Sequence, residues 1–277
     1  MKTVRLPAGE LVPALGIGTW RMGDKRTARA EEIATLRLAL DAGAALIDTA
    51  EMYGDGAAEE LVGEALAGRR DEAFIVSKVL PQHASAPGTV AACERSLRRL
   101  RTDRIDLYLL HWRGEIPFRD TLEGFRKLQR SGKIRHYGVS NLDTDEMEEL
   151  RQLPGGSDVQ ADQVLYNLAQ RGVERDLLPR LRAQETALMA YSPLDEGRLL
   201  RHPQLGAFAA RLGVTPSQLA LAWLLTRDGV IAIPKTSQRA RLRENLGALE
   251  VRLTPDHLAA LDLVFRPPDR KVPLQMY

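Results

Sequence analysis

Several features that would place a protein outside the cell or in a membrane are missing from this sequence. It has a single cysteine, Cys93, so no intrachain disulfide can form and no zinc site built on several thiolates is available. No apolar run approaches the roughly 18 residues that a membrane-spanning helix needs, and the N-terminal segment MKTVRLPAGE lacks the apolar stretch of a signal peptide. We therefore expect a cytoplasmic protein without a membrane partner and without a metal site.

An excess of charge of one sign is also missing. The 277 residues contain 39 lysines and arginines against 37 aspartates and glutamates, a net charge of +2, which gives no reason to expect a nucleic-acid partner. The glycine fingerprint GxGxxG of a Rossmann domain is not found either, because the segment 16–20 reads GIGTW and lacks the third glycine. The apolar fraction of 44% and the charged fraction of 27% are ordinary for a globular protein, which we expect to be a monomer.

What the sequence does contain is a regular alternation of strand-like and helix-like stretches after a short hairpin predicted at 3–6 and 11–14. The apolar, strand-like runs lie at 15–18, 46–48, 74–78, 105–111, 134–140, 159–164, 187–191 and 230–233. The helix-like segments lie at 30–42, 59–66, 89–100, 122–130, 145–153, 174–183, 205–212, 217–227, 239–246 and 255–264. Strict alternation predicts parallel strands joined by crossover helices, and eight such units in 277 residues fit a closed (β/α)8 TIM barrel. We expect one domain spanning 1–277, with the hairpin closing the bottom of the barrel.

Three of the predicted strands end in an ionisable residue. Asp48, Lys78 and His111 each stand at the end of an apolar run, and Tyr53 follows five residues after Asp48, next to Gly54. The reacting groups of such barrels lie at the C-terminal ends of the strands. We therefore expect these four side chains to converge.

Together the four side chains suit the protonation of a developing alkoxide, as in the reduction of a carbonyl group. Free tyrosine has a pKa near 10 and exchanges protons poorly at neutral pH, but the Lys78 ammonium is expected to lower the pKa of Tyr53. Asp48 would pair with the buried ammonium, and a neutral His111 would orient the carbonyl oxygen. Two alternatives stay open. Tyr53 and His111 could be packed structural residues, and Lys78 could be the Schiff-base nucleophile of an aldolase.

A second polar group follows the last predicted strand. The segment 233–237 reads IPKTS and opens a helix that contains Arg241. Lys235 and Arg241, with the hydroxyls and amides of Thr236 and Ser237 at a helix N-terminus, predict a phosphate site. Barrels often bind phosphate after their last strands. The alternative is an ordinary solvated basic helix start.

Over nearly its whole length the sequence resembles the aldo-keto reductases, and within them the short bacterial members that reduce methylglyoxal and other small aldehydes. The matching motifs, in family order, are LGIGTW (15–20), LIDTAEMYG (46–54), IVSK (75–78), IDLYLLHW (105–112), GKIRHYGVSN (132–141), QVLYN (163–167), MAYSPL (189–194), IPKTS (233–237) and RLRENLGALEVRLT (241–254). Several motifs in the right order are far more specific than any one of them.

The resemblance implies an NADPH-dependent aldehyde reductase with a small carbonyl substrate and assigns a role to each matching residue. The catalytic tetrad would be Asp48, Tyr53, Lys78 and His111, with Tyr53 as the acid–base. Ser140, Asn141 and Gln163 would bond the nicotinamide carboxamide, and Tyr191 would stack on the nicotinamide ring. Gly18, Thr19, Trp20, Asp48 and Pro234 would also contact the cofactor. The pyrophosphate would be covered by a loop that opens with Ser192, Pro193 and Leu194. The adenosine 2′-phosphate would be held by Lys235, Thr236, Ser237 and Arg241, and the adenine would be contacted by Glu244 and Asn245. The substrate mouth would be lined by Trp20, Tyr53, His111 and Trp112, with Met52 beside them or in ordinary rim packing.

The sequence departs from the family pattern at two places, and one further alternative function stays open. Thr236 stands where many members have serine, which keeps the hydroxyl. The C-terminal tail at 266–277 is short, which should leave the substrate pocket more open than in longer members. Some relatives of the aldo-keto reductases serve as cofactor-sensing subunits of ion channels, so a sensor without turnover stays an alternative.

Overall fold

The N-terminal hairpin forms as predicted and lies across one end of a barrel. The computed structural model describes residues 1–277, and the hairpin strands are β1 (Thr3–Arg5) and β2 (Leu11–Pro13), which pair antiparallel. The turn between them reaches the residue before a later barrel strand, where the Ala8 amide donates to the Gln160 side chain at 2.8 Å. The hairpin therefore closes the N-terminal end of the barrel.

Eight parallel strands follow, each paired with its neighbours in chain order. They are β3 (Ile17–Gly18), β4 (Leu46–Asp48), β5 (Phe74–Val79), β6 (Ile105–Leu110), β7 (Ile134–Ser140), β8 (Ala161–Leu165), β9 (Ala187–Tyr191) and β10 (Val230–Ala232). The helices are α1 (Arg29–Asp41), α2 (Ala57–Ala65), α3 (Ala86–Leu100), α4 (Phe118–Arg130), α5 (Thr144–Arg151), α6 (Leu177–Ala183), α7 (Pro203–Arg211), α8 (Pro216–Leu225), α9 (Arg239–Leu246) and α10 (Pro255–Val264).

The sheet closes on itself where its first and last strands meet. Parallel bridges join Leu15 to Ala232 and Gly18 to Lys235, and the Gly18 amide donates to the Pro234 carbonyl at 3.1 Å. This contact completes the predicted (β/α)8 barrel. It also places the start of the IPKTS segment directly beside the end of β3.

The central strands are buried on both faces, which explains why they read as unbroken apolar runs. Every residue of β5 and of β6 is buried, as expected for parallel strands enclosed by a ring of helices. The barrel and the helices share one apolar cluster of 74 buried residues. Polar side chains such as Lys78 that enter this layer must find partners inside the protein, because burying an unpaired charge is costly.

Several helices begin with a side-chain cap that their sequence predicts. Asp143, Thr215 and Thr254 each accept a backbone N–H three residues further on, at the starts of α5, α8 and α10, and the side chain three residues later bonds back. Such capping boxes satisfy amides that have no partner within the helix. None of the ten helices is both long and apolar enough to cross a membrane.

Candidate active site

Neighbouring strands bring the predicted catalytic residues to one end of the barrel. Asp48 is the last residue of β4, Lys78 lies near the end of β5, and His111 follows β6 directly. Tyr53 stands on the loop after β4, in a tight turn where Gly54 and Gly56 have φ angles of +59° and +93°. Glycine adopts positive φ at low cost, so the turn can return the phenol over the strand ends.

The four side chains converge around the Lys78 ammonium, as predicted. The ammonium donates to both carboxylate oxygens of Asp48 at 2.8 and 2.9 Å, to the Thr49 carbonyl at 2.8 Å and to the Tyr53 hydroxyl at 3.2 Å. The side chains of Lys78 and Asp48 are 0% and 3% exposed. Each buried ionic group therefore has the close partners that a charge away from water requires.

This arrangement keeps Lys78 charged and Tyr53 protonated. Burial alone would lower the pKa of Lys78, but Asp48 and Tyr53 outweigh that effect and the pKa lies above its ordinary value. Burial raises the pKa of the Tyr53 phenol, and the nearby ammonium offsets only part of the rise. The expectation that Lys78 brings the Tyr53 pKa below its ordinary value was therefore wrong for the protein alone, because desolvation is the larger effect. A protonated phenol is a proton donor.

His111 is a neutral imidazole next to this group. Burial, helped by the Lys78 charge, lowers the pKa of His111 to about 2, so the ring is uncharged at physiological pH. Its ring centroid lies 6.0 Å from that of Tyr53 and 4.9 Å from that of Trp112. Trp20 packs edge-on against Tyr53 at 4.9 Å and is 40% exposed. These aromatic rings pack around Tyr53 and His111, and Met52 packs beside Tyr53.

The residues predicted around the nicotinamide form a second network that touches the first. The Gln163 side chain donates to the Asp48 carboxylate at 2.7 Å, and the Ser140 hydroxyl donates to the Gln163 carbonyl at 2.7 Å. Asn141 donates to the His111 carbonyl at 3.1 Å and accepts from the Tyr191 hydroxyl at 3.0 Å. The ends of β7, β8 and β9 thus present amide and hydroxyl groups next to the tetrad.

The loop after β9 lies beside this network. Ser192 has a φ of +46°, and its carbonyl accepts a hydrogen bond from Asn167 at 2.9 Å. Pro193 and Leu194 continue the loop, and Leu194 packs against the core. At the end of β3, the Thr19 hydroxyl donates to the Asp48 carbonyl at 2.9 Å, so this segment borders the tetrad. That the loop after β9 covers a pyrophosphate stays a prediction.

The predicted phosphate site has two cations without a protein partner. Lys235 and Arg241 are exposed and form no ion pair with any carboxylate, whereas Arg239 on the same helix binds Glu31 at 2.9 Å. Gln238, which precedes α9, gives the helix no side-chain cap. Free cations beside an uncapped helix start are suited to an anion.

The other residues predicted for the adenosine end lie close to these cations but are more enclosed. Thr236 is buried, and its hydroxyl accepts the Gln238 amide at 3.2 Å. Pro234 is buried, Ser237 is half-buried, and Asn245 is buried under α9. The Glu244 carboxylate accepts a hydrogen bond from the Ser217 hydroxyl. Their contacts with a cofactor stay predictions.

Reasoning from the sequence missed two groups of residues at the rim. Glu51 is buried two residues before Tyr53, where it accepts the Leu80 amide at 2.9 Å and binds His83 at 2.9 Å. Tyr277 reaches the loop after β9 and contacts Asp195. Both groups join segments distant in the sequence, so neither spacing nor periodicity could reveal them. The short tail thus lies against the loop after β9, and the expected openness of the substrate pocket stays a prediction.

Comparison with known proteins agrees with this geometry. The sequence model described as "Aldo/keto reductase family" matches residues 14–265. The chain is 46% identical over 280 residues to the methylglyoxal reductase YeaE of Escherichia coli, covering 99% of each chain. It is 33% identical over 263 residues to the glyoxal reductase of Bacillus subtilis, covering 94% of this chain and 91% of the relative.

Solved structures agree as well. A crystal structure of an aldo/keto reductase from Klebsiella pneumoniae in complex with NADP and acetate superposes with a TM-score of 0.97 at 47% identity, covering 100% of this chain and 99% of the other. A Klebsiella pneumoniae aldo-keto reductase in complex with NADPH gives the same values. The barrel, the motif order and these matches together place the chain in the aldo/keto reductase family.

Proposed function

We propose that this protein is an NADPH-dependent reductase of small aldehydes and dicarbonyl compounds, working as one domain of 277 residues. The observation that best supports this is the Lys78 ammonium, which bridges the Asp48 carboxylate and the Tyr53 hydroxyl inside a buried pocket. Neither an aldolase nor a structural ion pair needs a protonated phenol at that position.

Reduction of an aldehyde to an alcohol requires a hydride at the carbonyl carbon and a proton at the oxygen. NADPH, when bound, supplies the hydride. Tyr53 donates the proton to the oxygen as negative charge develops there, and breaking its O–H bond leaves a phenolate beside Lys78. The ammonium, fixed by Asp48, stabilises that phenolate. Neutral His111 orients the carbonyl oxygen, because an uncharged imidazole can donate a hydrogen bond without competing for the proton.

The residues present fit NADPH at both ends of the molecule. Lys235 and Arg241 lack carboxylate partners, so both are available for a 2′-phosphate, a group that NADH does not have. The amide and hydroxyl groups of Ser140, Asn141 and Gln163 are suited to the carboxamide of a nicotinamide. Tyr191 is half-buried at the end of β9, where its ring can stack on the nicotinamide plane.

The substrate class is proposed from the mouth of the pocket and from the relatives. Trp20 offers an apolar ring beside Tyr53 and Trp112 offers one beside His111, which suits small or aromatic aldehydes. The relatives named methylglyoxal reductase and glyoxal reductase support dicarbonyl compounds. We also propose that the enzyme acts as a cytoplasmic monomer.

The function is tested by following NADPH absorbance with the purified protein and a panel of methylglyoxal, glyoxal, an aromatic aldehyde and a simple ketone. We expect fastest consumption with the dicarbonyls and aldehydes. Tight NADPH binding without consumption by any carbonyl would favour a cofactor sensor. Covalent trapping of a carbonyl compound on Lys78 by borohydride would favour a Schiff-base aldolase.

A further inference from the structure

The C-terminal segment runs along the rim of the barrel to the site. Lys271 pairs with Asp145 at 3.2 Å and with Asp176 at 3.3 Å, next to α5 and α6. Leu274 packs against the apolar core. These contacts direct the following residues across the C-terminal ends of the strands, and Tyr277 lies at the loop after β9.

Tyr277 contacts that loop through both its hydroxyl and its ring. The hydroxyl donates a hydrogen bond to the Asp195 carboxylate. The ring faces the Arg198 guanidinium, whose central carbon lies 4.8 Å from the ring centroid. Arg198 in turn donates to both oxygens of Asp195, at 3.0 and 3.1 Å. Tyr277, Asp195 and Arg198 therefore form a closed cluster, which we call the tail clasp.

The Asp195 end of the clasp belongs to a constrained part of the backbone. Asp195 is 6% exposed and has a φ of +52°, a left-handed conformation that is uncommon outside glycine but in which asparagine and aspartate are enriched. Burial would raise the pKa of Asp195, but Arg198 and Tyr277 outweigh burial and hold that pKa below its ordinary value. The carboxylate is therefore charged, and hydrogen bonds to charged groups are stronger than neutral ones.

The backbone of Tyr277 also faces the predicted nicotinamide ring partner. It lies at the Tyr191 hydroxyl and opposes the effect of burial on the pKa of that phenol. Tyr191 in turn donates to Asn141 at 3.0 Å. One tail residue thus contacts the loop expected to cover the pyrophosphate and lies near the ring expected to stack on the nicotinamide.

We propose that Tyr277 is a positioning residue that fastens the loop after β9 over the bound cofactor, so that NADP(H) leaves only after the tail clasp opens. This inference rests on the proposed function, because it requires that the cofactor lies under this loop. When the loop opens, Asp195 must separate from the Tyr277 hydroxyl. Cofactor release is therefore coupled to detachment of the tail.

The test is the dissociation rate of NADPH, measured by stopped-flow fluorescence with the full chain. Tyr277→Phe removes the hydroxyl and keeps the ring against Arg198. We expect roughly ten- to a hundredfold faster dissociation, the effect of losing one hydrogen bond to a charged group. The melting temperature of the unliganded protein should not change, which separates positioning of the loop from a general loss of stability.

Two further variants sharpen the test. Tyr137→Phe is a matched control, because that hydroxyl bonds to the Gly155 carbonyl at 2.8 Å, away from the site, and should leave NADPH dissociation unchanged. Asp195→Asn keeps a residue that tolerates positive φ and removes the charge. If Tyr277 acts through Asp195, the double variant should dissociate NADPH little faster than Asp195→Asn alone.

The outcomes separate this inference from the proposed function. If the wild-type protein fails to bind NADPH, the proposed function is contradicted and the role of the clasp falls with it. If the wild-type protein binds and oxidises NADPH, but Tyr277→Phe releases it at the wild-type rate, only the clasp is contradicted. Amide hydrogen exchange at 194–198 gives a second readout, and we expect faster exchange in the unliganded Tyr277→Phe variant.

Discussion

At the scale of single residues, the proposed active site centres on a buried ammonium whose hydrogen-bond partners all lie inside the protein. Lys78 is fully buried and makes four hydrogen bonds, two of them to Asp48 and one to Tyr53. Removing either member of a buried ion pair leaves the other as an uncompensated charge, which costs more than the pair itself contributes. Function and stability are therefore coupled at this position.

A substitution of the pair tests this coupling. Lys78→Met should lower the free energy of unfolding by about 3–5 kcal/mol, because Asp48 is left buried without its cation. The double variant Lys78→Met/Asp48→Asn should recover much of that loss and still be inactive. Urea unfolding at neutral pH measures both. A single variant as stable as the wild-type protein would contradict the coupling.

The buried imidazole makes a separate prediction about pH. The pKa of His111 is about 2 in the folded protein against an ordinary value of 6.5, so below pH 6.5 the unfolded chain binds a proton that the folded one does not. The wild-type protein should therefore lose stability relative to His111→Gln by up to about 1.4 kcal/mol per pH unit as the pH falls below 6.5. Unfolding curves at neutral and acid pH check this. If both proteins lost stability equally as the pH falls, the pKa of His111 would be the same in the folded and the unfolded chain, which contradicts the prediction.

At the scale of elements, we expect cofactor selectivity to depend on the segment between β10 and α9 and on the start of α9. The bridge from Gly18 to Lys235 fixes the start of this segment, and α9 then presents Arg241 on its exposed side. The same helix contains Arg239, which already forms an ion pair with Glu31. A free arginine and a paired arginine on one helix make a natural comparison.

Lys235→Ala and Arg241→Ala should each weaken NADPH binding by roughly ten- to a hundredfold, the usual range for a charge-assisted hydrogen bond. Binding of NADH should change little, because it lacks the 2′-phosphate. Arg239→Ala serves as the control and should leave the ratio of the two affinities unchanged. Fluorescence titration with both cofactors gives the values. Equal losses of affinity for NADPH and NADH would contradict the binding of the 2′-phosphate by Lys235 and Arg241.

At the scale of the whole molecule, the barrel depends on close contact between its first strands. A Cβ atom on Gly16 would lie 2.6 Å from the Leu46 backbone oxygen, too close for any side chain. By contrast, Gly206 in α7 has nothing within 4 Å of such an atom. The two glycines have different packing environments, which the sequence alone does not reveal.

Alanine at these two positions should therefore act in opposite directions. Gly16→Ala should destabilise the protein by about 1–3 kcal/mol through overpacking. Gly206→Ala should stabilise it by roughly 0.5–1 kcal/mol, because alanine loses less backbone freedom than glycine in a helix. Thermal unfolding of both variants measures the shifts. A stabilised Gly16→Ala protein would mean that β3 and β4 are not packed as described.

Most of the barrel could be predicted from the sequence because each strand and helix has a local signal. The bounds of β4, β7, β9, α9 and α10 agree with prediction at both ends, and those of the other elements differ by a few residues. The convergence of the tetrad followed from strand ends alone. The sign of the Tyr53 pKa shift did not, because desolvation depends on packing that no motif records. The tail clasp could not be predicted from the sequence either, because Tyr277 and Asp195 are 82 residues apart.

The central claim is that Tyr53 donates the proton in a reduction driven by NADPH, and one variant tests it most directly. Tyr53→Phe removes only the hydroxyl, so NADPH binding should stay within the wild-type range while kcat for methylglyoxal falls by about a hundred- to ten-thousandfold, the usual contribution of a general acid. Single-turnover measurements with saturating NADPH give both values. Reduction at close to the wild-type rate by this variant would contradict the mechanism.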